Sequence, residues 1–477
     1  MLDTRRRWVA FYVLCLGTLM VVLDSTIVNV ALPSIRESLG FSQTSLAWVV
    51  NGYMLTFGGC LLLGGRLGDL YGQRRIFVTG ITGFTLASVG CGLSQTQAML
   101  IGFRALQGVG GALATAVGFA VVVTLFPEPA ERAKAMGITG FVASGGGAVG
   151  VVLGGVLTDL LNWHWIFLVN VPIGAVVVTL MLRLVDESAV SDTTRRLDVA
   201  GAVTVTGALM LAVDAVVNGD QAGWASARTL GSLAVAVALF AAFLVIEKRT
   251  AVPLVRLSLF RSRNLAAANV IGVLWAAAMF AWFFLSALYL QLVLGYSSLQ
   301  VGLAFLPGDL VMMVCSVSWS AKLVSRYGFR RPMAGGLLVA SVGLLLFARA
   351  PVHGGFWLDV LPNMLLLGLG GGIAFNPMLL AAMSDIAPEE SGIASGAVNT
   401  AFMMGGALGL AALASIAAAR TGDHSAPAWL LSGYHLSFAI GAGAAILAAV
   451  VGWWRIREPQ VSDDELYDDS LLVSATG

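Results

Sequence analysis

Charge is scarce in this chain. Only 11% of its 477 residues are Asp, Glu, Lys or Arg, against about 25% in an average soluble protein. Hydrophobic side chains make up 58%, and glycine adds 57 residues. A soluble fold cannot hide that much apolar surface. The balance excludes a cytoplasmic globular enzyme, a nucleic-acid binder and a disordered chain. Cysteine is nearly absent as well. Cys15, Cys60, Cys91 and Cys315 lie far apart in apolar runs, with no CxxC or Cys/His spacing, so they read as small core residues and not as metal ligands. The only lysines are Lys134, Lys248 and Lys322. None sits in a GxxxxGK[ST] context, so there is no P-loop to drive anything with ATP. A clustered His/Asp/Cys constellation or a soluble output domain, which a membrane enzyme or sensor would need, is missing too. No cofactor and no metal are expected.

Long apolar runs are what the chain has. A bilayer span takes about 20 apolar residues. Fourteen windows qualify: 8–31, 45–65, 75–94, 98–126, 133–157, 163–184, 198–217, 229–247, 265–290, 299–325, 333–350, 357–384, 393–419 and 434–456. The fold class is therefore an all-α integral membrane protein. The first run follows Arg5, Arg6 and Arg7 but is too long for a signal peptide and contains Asp24, so it reads as a retained helix.

Orientation follows from the basic residues. With the N-terminus inside, 22 Lys and Arg fall in inner segments and 4 (Arg36, Arg228, Arg349, Arg420) in outer ones. That is a strong positive-inside signal. Arg195 and Arg196 are among the inner set. His164, His353, His424 and His435 fall at the outer side. The tail from Glu458 is acidic and reads as a solvated cytoplasmic segment. Both termini are expected in the cytoplasm, and the protein in the cytoplasmic membrane.

The chain also repeats itself. Gly65-Arg-Leu-Gly-Asp-Leu-Tyr-Gly-Gln-Arg-Arg75 matches Ala321-Lys-Leu-Val-Ser-Arg-Tyr-Gly-Phe-Arg-Arg331. Gly108-Val-Gly-Gly-Ala-Leu113 matches Gly368-Leu-Gly-Gly-Gly-Ile373, and Gly146-Gly-Ala-Val-Gly150 matches Gly405-Gly-Ala-Leu-Gly409. Near-equal offsets of 256 to 260 residues argue for duplication, although glycine richness weakens the last two matches. The expected domains are a six-helix bundle over 1–184, a linker with two inserted helices over 185–264, a second six-helix bundle over 265–456 and the tail 457–477. Both halves start inside, which makes them parallel repeats, with a substrate site at their interface near the midplane.

Within this frame a few polar residues sit at membrane depth. Asp24 costs several kcal/mol there unless paired, protonated or wet, which makes it a candidate proton site. Arg104 is the one cation within a span, with Gln107 three residues on. Asp309 follows Pro307-Gly308, a break tolerated where it lines a cavity. Asn29 reads as glue or cavity lining, near the outer end of the first span. Asn376 and Asn399 are polar in the second half. Trp275, Met279 and Trp282 share one helix face beside Phe280, Phe283 and Phe284, either a drug-binding wall or packing. Asp214 reads as structural. Gly65, Arg66, Gly68, Asp69, Gly72, Arg74 and Arg75 form a loop in which the glycines permit a sharp turn. Asp69 can cap a helix or pair with arginine across the halves, as a latch for the outward-open state; its repeat copy is Ser325.

Leu23-Asp-Ser-Thr-Ile-Val-Asn-Val-Ala-Leu-Pro33, the loop Gly65–Arg75, Arg104-Ala-Leu-Gln-Gly-Val-Gly110 and Trp163-His-Trp-Ile-Phe-Leu-Val-Asn-Val-Pro-Ile-Gly174 are together similar to one family. The chain resembles the 14-helix drug:proton antiporter branch of the major facilitator superfamily over nearly its full length. The resemblance implies a major facilitator fold, a role for Arg104 in proton relay, and export of lipophilic drugs or antibiotics driven by the proton gradient. One departure stands out: the family's antiporter motif usually has Pro after the glycine at position 150, and here Val151 follows. That difference weakens a kink and mildly favours the alternative, a proton-coupled importer or uniporter of a small metabolite. Expected partners are the lipophilic substrate, protons and lipid, with no nucleic acid, and a monomer suffices.

Overall fold

The computed structural model describes residues 4–185, 198–223, 225–250, 253–387, 390–422 and 426–458. Fourteen helices in it are long and apolar enough to cross a membrane. They are α1 (Arg5–Leu39), α2 (Ser45–Tyr71), α3 (Gln73–Gly92), α4 (Gln97–Leu125), α5 (Ala130–Leu160), α6 (Trp165–Leu184), α7 (Val199–Gly219), α8 (Ala227–Arg249), α9 (Arg263–Val293), α10 (Ser298–Tyr327), α11 (Arg330–Phe347), α12 (Phe356–Met383), α13 (Gly392–Thr421) and α14 (Pro427–Arg455). All fourteen expected spans are present. Arg195, Arg196, His424 and the acids beyond Glu458 lie outside the described residues.

Local chemistry sets the helix ends. Thr96, Ser226 and Ser262 each accept a backbone N–H from three residues on, at the starts of α4, α8 and α9. Ser297 and Gln300 form a reciprocal capping box at the start of α10. Gly72 (φ +94°) and Gly328 (φ +74°) terminate α2 and α10 in the left-handed region, where a side chain is strained. These two glycines are the matched pair of the sequence repeat.

Several expectations need correcting. Gly65 to Tyr71 are not loop but the last two turns of α2, and only Gly72 breaks the helix. The apolar window had simply stopped at the first charge. Asn29 does not lie near the outer end of α1, because the helix runs ten residues further, through Pro33 to Leu39. Glu458 is not a solvated tail residue. Its carboxylate accepts the backbone N–H groups of Phe329 and Arg330, at 2.8 Å each, and so caps the start of α11. Arg457 is held next to it through Asn264, which binds both its N–H and its carbonyl.

Packing repeats with the sequence. In the first six helices, α1 packs on α5 and α6, α4 on α2 and α3, and α3 on α6. In the last six, α9 packs on α13 and α14, α12 on α10 and α11, and α11 on α14. Each pairing in one set recurs in the other eight helices later. Two of the glycines whose abundance weakened the sequence matches hold equivalent places: Gly110 of α4 faces Gly80 of α3, and its repeat counterpart Gly370 of α12 faces Gly336 of α11. A Cβ on Gly80 would sit 2.7 Å from Ala114 N in α4, and one on Gly336 would sit 2.7 Å from Gly370 O in α12. Bare backbone at both contacts lets the helices touch. The two sets meet along α5–α10 and α2–α13. The inserted pair α7–α8 lies to one side, with α7 against both α2 and α13. Asp214 in α7 accepts a bond from Asn218 one turn on, as a structural acid would.

With an even number of spans, the described chain starts and finishes at one face, called here the terminal face. Basic side chains anchor there: Arg7 pairs with Glu131, Lys134 lies over the Trp8 ring at 5.1 Å, and Arg330 over Trp453 at 4.8 Å.

Candidate functional site

Asp24 meets Arg104 and Gln107, whose three-residue spacing places only those last two on one helix face. All three are 0% exposed. Arg104 Nη1 donates to Asp24 Oδ2 at 2.5 Å and to Gln107 Oε1 at 2.8 Å. Gln107 Nε2 donates to Asp24 Oδ1 at 3.0 Å and to Ser88 Oγ at 2.7 Å. Asn170 Nδ2 donates to Asp24 Oδ1 at 2.9 Å. Arg104 Nε reaches the Val49 carbonyl at 2.9 Å, and the Tyr53 ring lies 4.5 Å from the guanidinium. Five helices (α1, α2, α3, α4 and α6) thus converge on one ion pair. Both carboxylate oxygens of Asp24 are engaged, and the guanidinium is stacked and bonded, which offsets the cost of burying two charges.

This ion pair is inside the first six-helix set, away from its seam with the second. Asp309 is placed differently. Gly302, Leu306, Asp309 and Met313 recur at helical spacing along one face of α10. The ends of that row meet α5 of the other set: Gly302 packs on the Val151 backbone and Gly145 on the Met313 sulfur. Asp309 therefore stands on the face that α10 turns to the opposite half. It is 6% exposed, its Oδ2 is buried without a hydrogen-bond partner, and it forms no ion pair among the described residues. A carboxyl so placed must take a proton, a cation or a donor from elsewhere to be satisfied.

The remaining sequence candidates are tied locally. Asn29 Nδ2 donates to the Ser25 and Thr26 carbonyls, and Asn399 Nδ2 to the Ser395 carbonyl, each within its own helix. Asn376 Nδ2 holds Ser316 of α10, through both its carbonyl and its hydroxyl. Trp275 and Trp282 are each 2% exposed, core and not lipid-facing, and neither indole N–H has a partner among the described residues. The apolar surface at the seam comes from residues that sequence reasoning only partly singled out. Phe402 on α13 lies between Phe280 (5.9 Å) and Phe375 (5.4 Å). Met54 and Met403 sit where α2 and α13 meet, at Gly406 and Gly58. Such side chains are large, apolar and adaptable.

Sequence reasoning missed Ser88, Tyr53 and Asn170 in the ion-pair network. Asn170 lies within the stretch Trp163–Gly174, so a signal was present. Ser88 and Tyr53 carried none, being ordinary residues of apolar helices. In the motif that ends α2, Arg74 Nη2 donates to the Leu182 carbonyl of α6 at 2.7 Å. Asp69 is exposed and has no hydrogen-bond or ion-pair partner among the described residues. No group of three or more His, Cys, Asp or Glu gathers as a metal site among the described residues.

Comparison with known proteins gives a consistent result. The Major Facilitator Superfamily profile matches residues 14–410. The puromycin resistance protein pur8 of Streptomyces alboniger is 38% identical over 471 residues, covering 96% of this chain and 93% of that one. The cephamycin export protein CmcT of Amycolatopsis lactamdurans is 37% identical over 445 residues, covering 93% and 91%. The tetracenomycin C resistance and export protein of Streptomyces glaucescens is 34% identical, covering 89% and 78%. Among solved structures, the nucleoside transporter NupG superposes with a TM-score of 0.66 at 12% identity, covering 94% of this chain and 100% of that one, a likeness of fold alone.

Proposed function

Because the chain belongs to the Major Facilitator Superfamily, we propose that it is a proton-driven exporter of lipophilic drugs or antibiotics, working by alternating access. It is a multi-pass membrane protein. The 22-to-4 bias of basic residues supports a cytoplasmic terminal face and a place in the cytoplasmic membrane. Export is favoured over import because the relatives are named for resistance and export. Val151 points mildly the other way: α5 runs unbroken past it, as expected without that proline, and its backbone packs against Gly302; the export and resistance names of the relatives outweigh it.

The observation that carries the coupling is the contrast between the two buried acids. Asp24 has its bonds filled by Arg104, Gln107 and Asn170 within one half. Asp309 has no such partner among the described residues, its Oδ2 being buried and unbonded, and it faces the seam that opens and closes. In this reading Asp309 takes up the proton exchanged for substrate. Asp24 and Arg104 set the geometry and field of the first half. The apolar drug lies against Met54, Phe280, Phe375, Phe402 and Met403, with Asn376, Asn399, Asn29 and Trp275 shaping the walls behind. One charge crossing 100 mV supplies about 2.3 kcal/mol, roughly a 50-fold gradient per proton. No other energy source is needed, and one copy of the chain suffices.

The test is dye uptake into energised inside-out vesicles. Uptake that collapses with a protonophore and is lost in Asp309→Asn is the expected result. Uptake that persists after the pH and electrical gradients are dissipated overturns the antiport mechanism. Unchanged proton dependence in Asp309→Asn moves the proton from Asp309 to another group.

A further inference from the structure

The two halves are fastened to each other at one face. Asp159 lies in the last turn of α5. Its two carboxylate oxygens accept the backbone N–H groups of Ser298 and Leu299, at 3.0 Å each. These donors belong to the first turn of α10, on the other side of the seam, at the face opposite the termini. Four N–H groups of a helix start have no partner within the helix, and the helix dipole makes that end positive. The capping box of Ser297 and Gln300 satisfies the N–H of each of its own members, and Asp159 of the other half satisfies the next two. The fit is close: a Cβ on Gly155, one turn before Asp159, would sit 2.7 Å from Leu299 Cα and from Ser298 O. A second bond supports the same face, where Gln291 Nε2 of α9 donates to the Val30 carbonyl of α1 at 2.9 Å.

The arrangement is one-sided. At the repeat offset that pairs Gly150 with Gly409, the counterpart of Asp159 is Ala418 in α13, which has no carboxylate to offer α2. At the terminal face, Asp69 is exposed and without a partner among the described residues. Among the described residues there is therefore a charged clasp closed at one face and an acid without a partner at the other.

We infer that Asp159 is a positioning residue for transport: its carboxylate, clasping the start of α10, holds the face opposite the termini closed, and must be released for substrate to leave there. This deepens the alternating-access reading and rests on it. Two charge-assisted bonds to backbone N–H are also a clasp that reforms in one geometry only, so closure is registered as well as stabilised.

The experiment measures the opening itself. Spin labels at Leu161→Cys and Leu303→Cys, on a background with Cys60→Ser, report the α5–α10 separation by pulsed electron resonance in nanodiscs. The parent is expected to show mainly the short distance. Asp159→Ala is expected to raise the ratio of long to short distances about tenfold, the scale of a lost hydrogen bond to a charged group. Asp159→Glu, which keeps the carboxylate, is expected to restore much of the short population. Ser298→Pro serves as the second variant: proline is well accommodated at the first helical position, yet it removes one of the two donors, so a smaller shift in the same direction is expected. Distance distributions unchanged in both Asp159→Ala and Ser298→Pro overturn the clasp. Since the readout is a distance and not flux, failure of proton-driven uptake in vesicles refutes the exporter reading by itself and leaves the clasp to be judged on these distances.

Discussion

Asp24 and Asp309 are the same residue type at similar depth, and the structure gives them opposite predicted behaviour. Removing Asp24 leaves Arg104 buried with its charge uncompensated. Asp24→Ala should therefore cost on the order of 3–5 kcal/mol of stability, seen as a lower melting temperature of the purified protein. A fall of under 1 kcal/mol would mean that water or another acid reaches Arg104. Asp309→Asn removes no bond, since Asp309 Oδ2 has none. That variant should melt within about 1 kcal/mol of the parent while losing proton-dependent uptake. Measuring both properties on both variants separates an acid that builds the fold from one that works in it. Sequence depth alone had placed the two acids on equal terms, because nothing in a hydropathy window says which neighbour a carboxylate meets.

At the level of the helix, the repeated glycines make a second prediction. Gly80 and Gly83 lie in the same helix, three residues apart. A Cβ on Gly80 meets backbone of α4 at 2.7 Å, whereas one on Gly83 meets nothing within 4 Å. Gly80→Ala should push α3 from α4 and destabilise by about 1–3 kcal/mol. Gly83→Ala should be neutral or gain up to about 1 kcal/mol from helix propensity. Gly336→Ala, in the matched place in the second half, should behave as Gly80→Ala does. A thermal-melting comparison of the three variants decides it. If Gly336→Ala melts like Gly83→Ala, the equivalence of the two α3–α4-type contacts is wrong.

For the whole molecule, the seam matters more than either bundle. Each half is tightly packed on itself. The two halves share the α5–α10 and α2–α13 contacts and a few hydrogen bonds at one face. That is the distribution expected of two bodies that rock. The inserted α7 touches both halves and bonds to α13 through Ser415 Oγ, which donates to the Val216 carbonyl. Orientation is checked by tags. One fused after the last residue should be reached by a membrane-impermeant reagent only from the cytoplasm, and one inserted between Leu161 and His164 only from outside. The reverse pattern would invert the direction of every step proposed here.

The sequence by itself determined the membrane class, the fourteen spans, the duplication and the family. The membrane class and the spans follow from composition and periodicity, because a bilayer filters each segment by its own hydropathy, whereas the duplication rests on matched motifs and the family on a resemblance to known motifs. It also brought Asp24, Arg104 and Gln107 forward, since a charge at that depth is conspicuous wherever it points. Only the tertiary structure decided what those charges do. Ser88 and Asn170 come from helices remote in sequence, so the closure of bonds around Asp24 exists only once five helices have packed. The isolation of Asp309 depends on the rotation of α10 about its axis, and the grip of Asp159 on α10 on two segments 139 residues apart meeting across the seam. Contacts of that range are set by how helices pack, which no local pattern encodes.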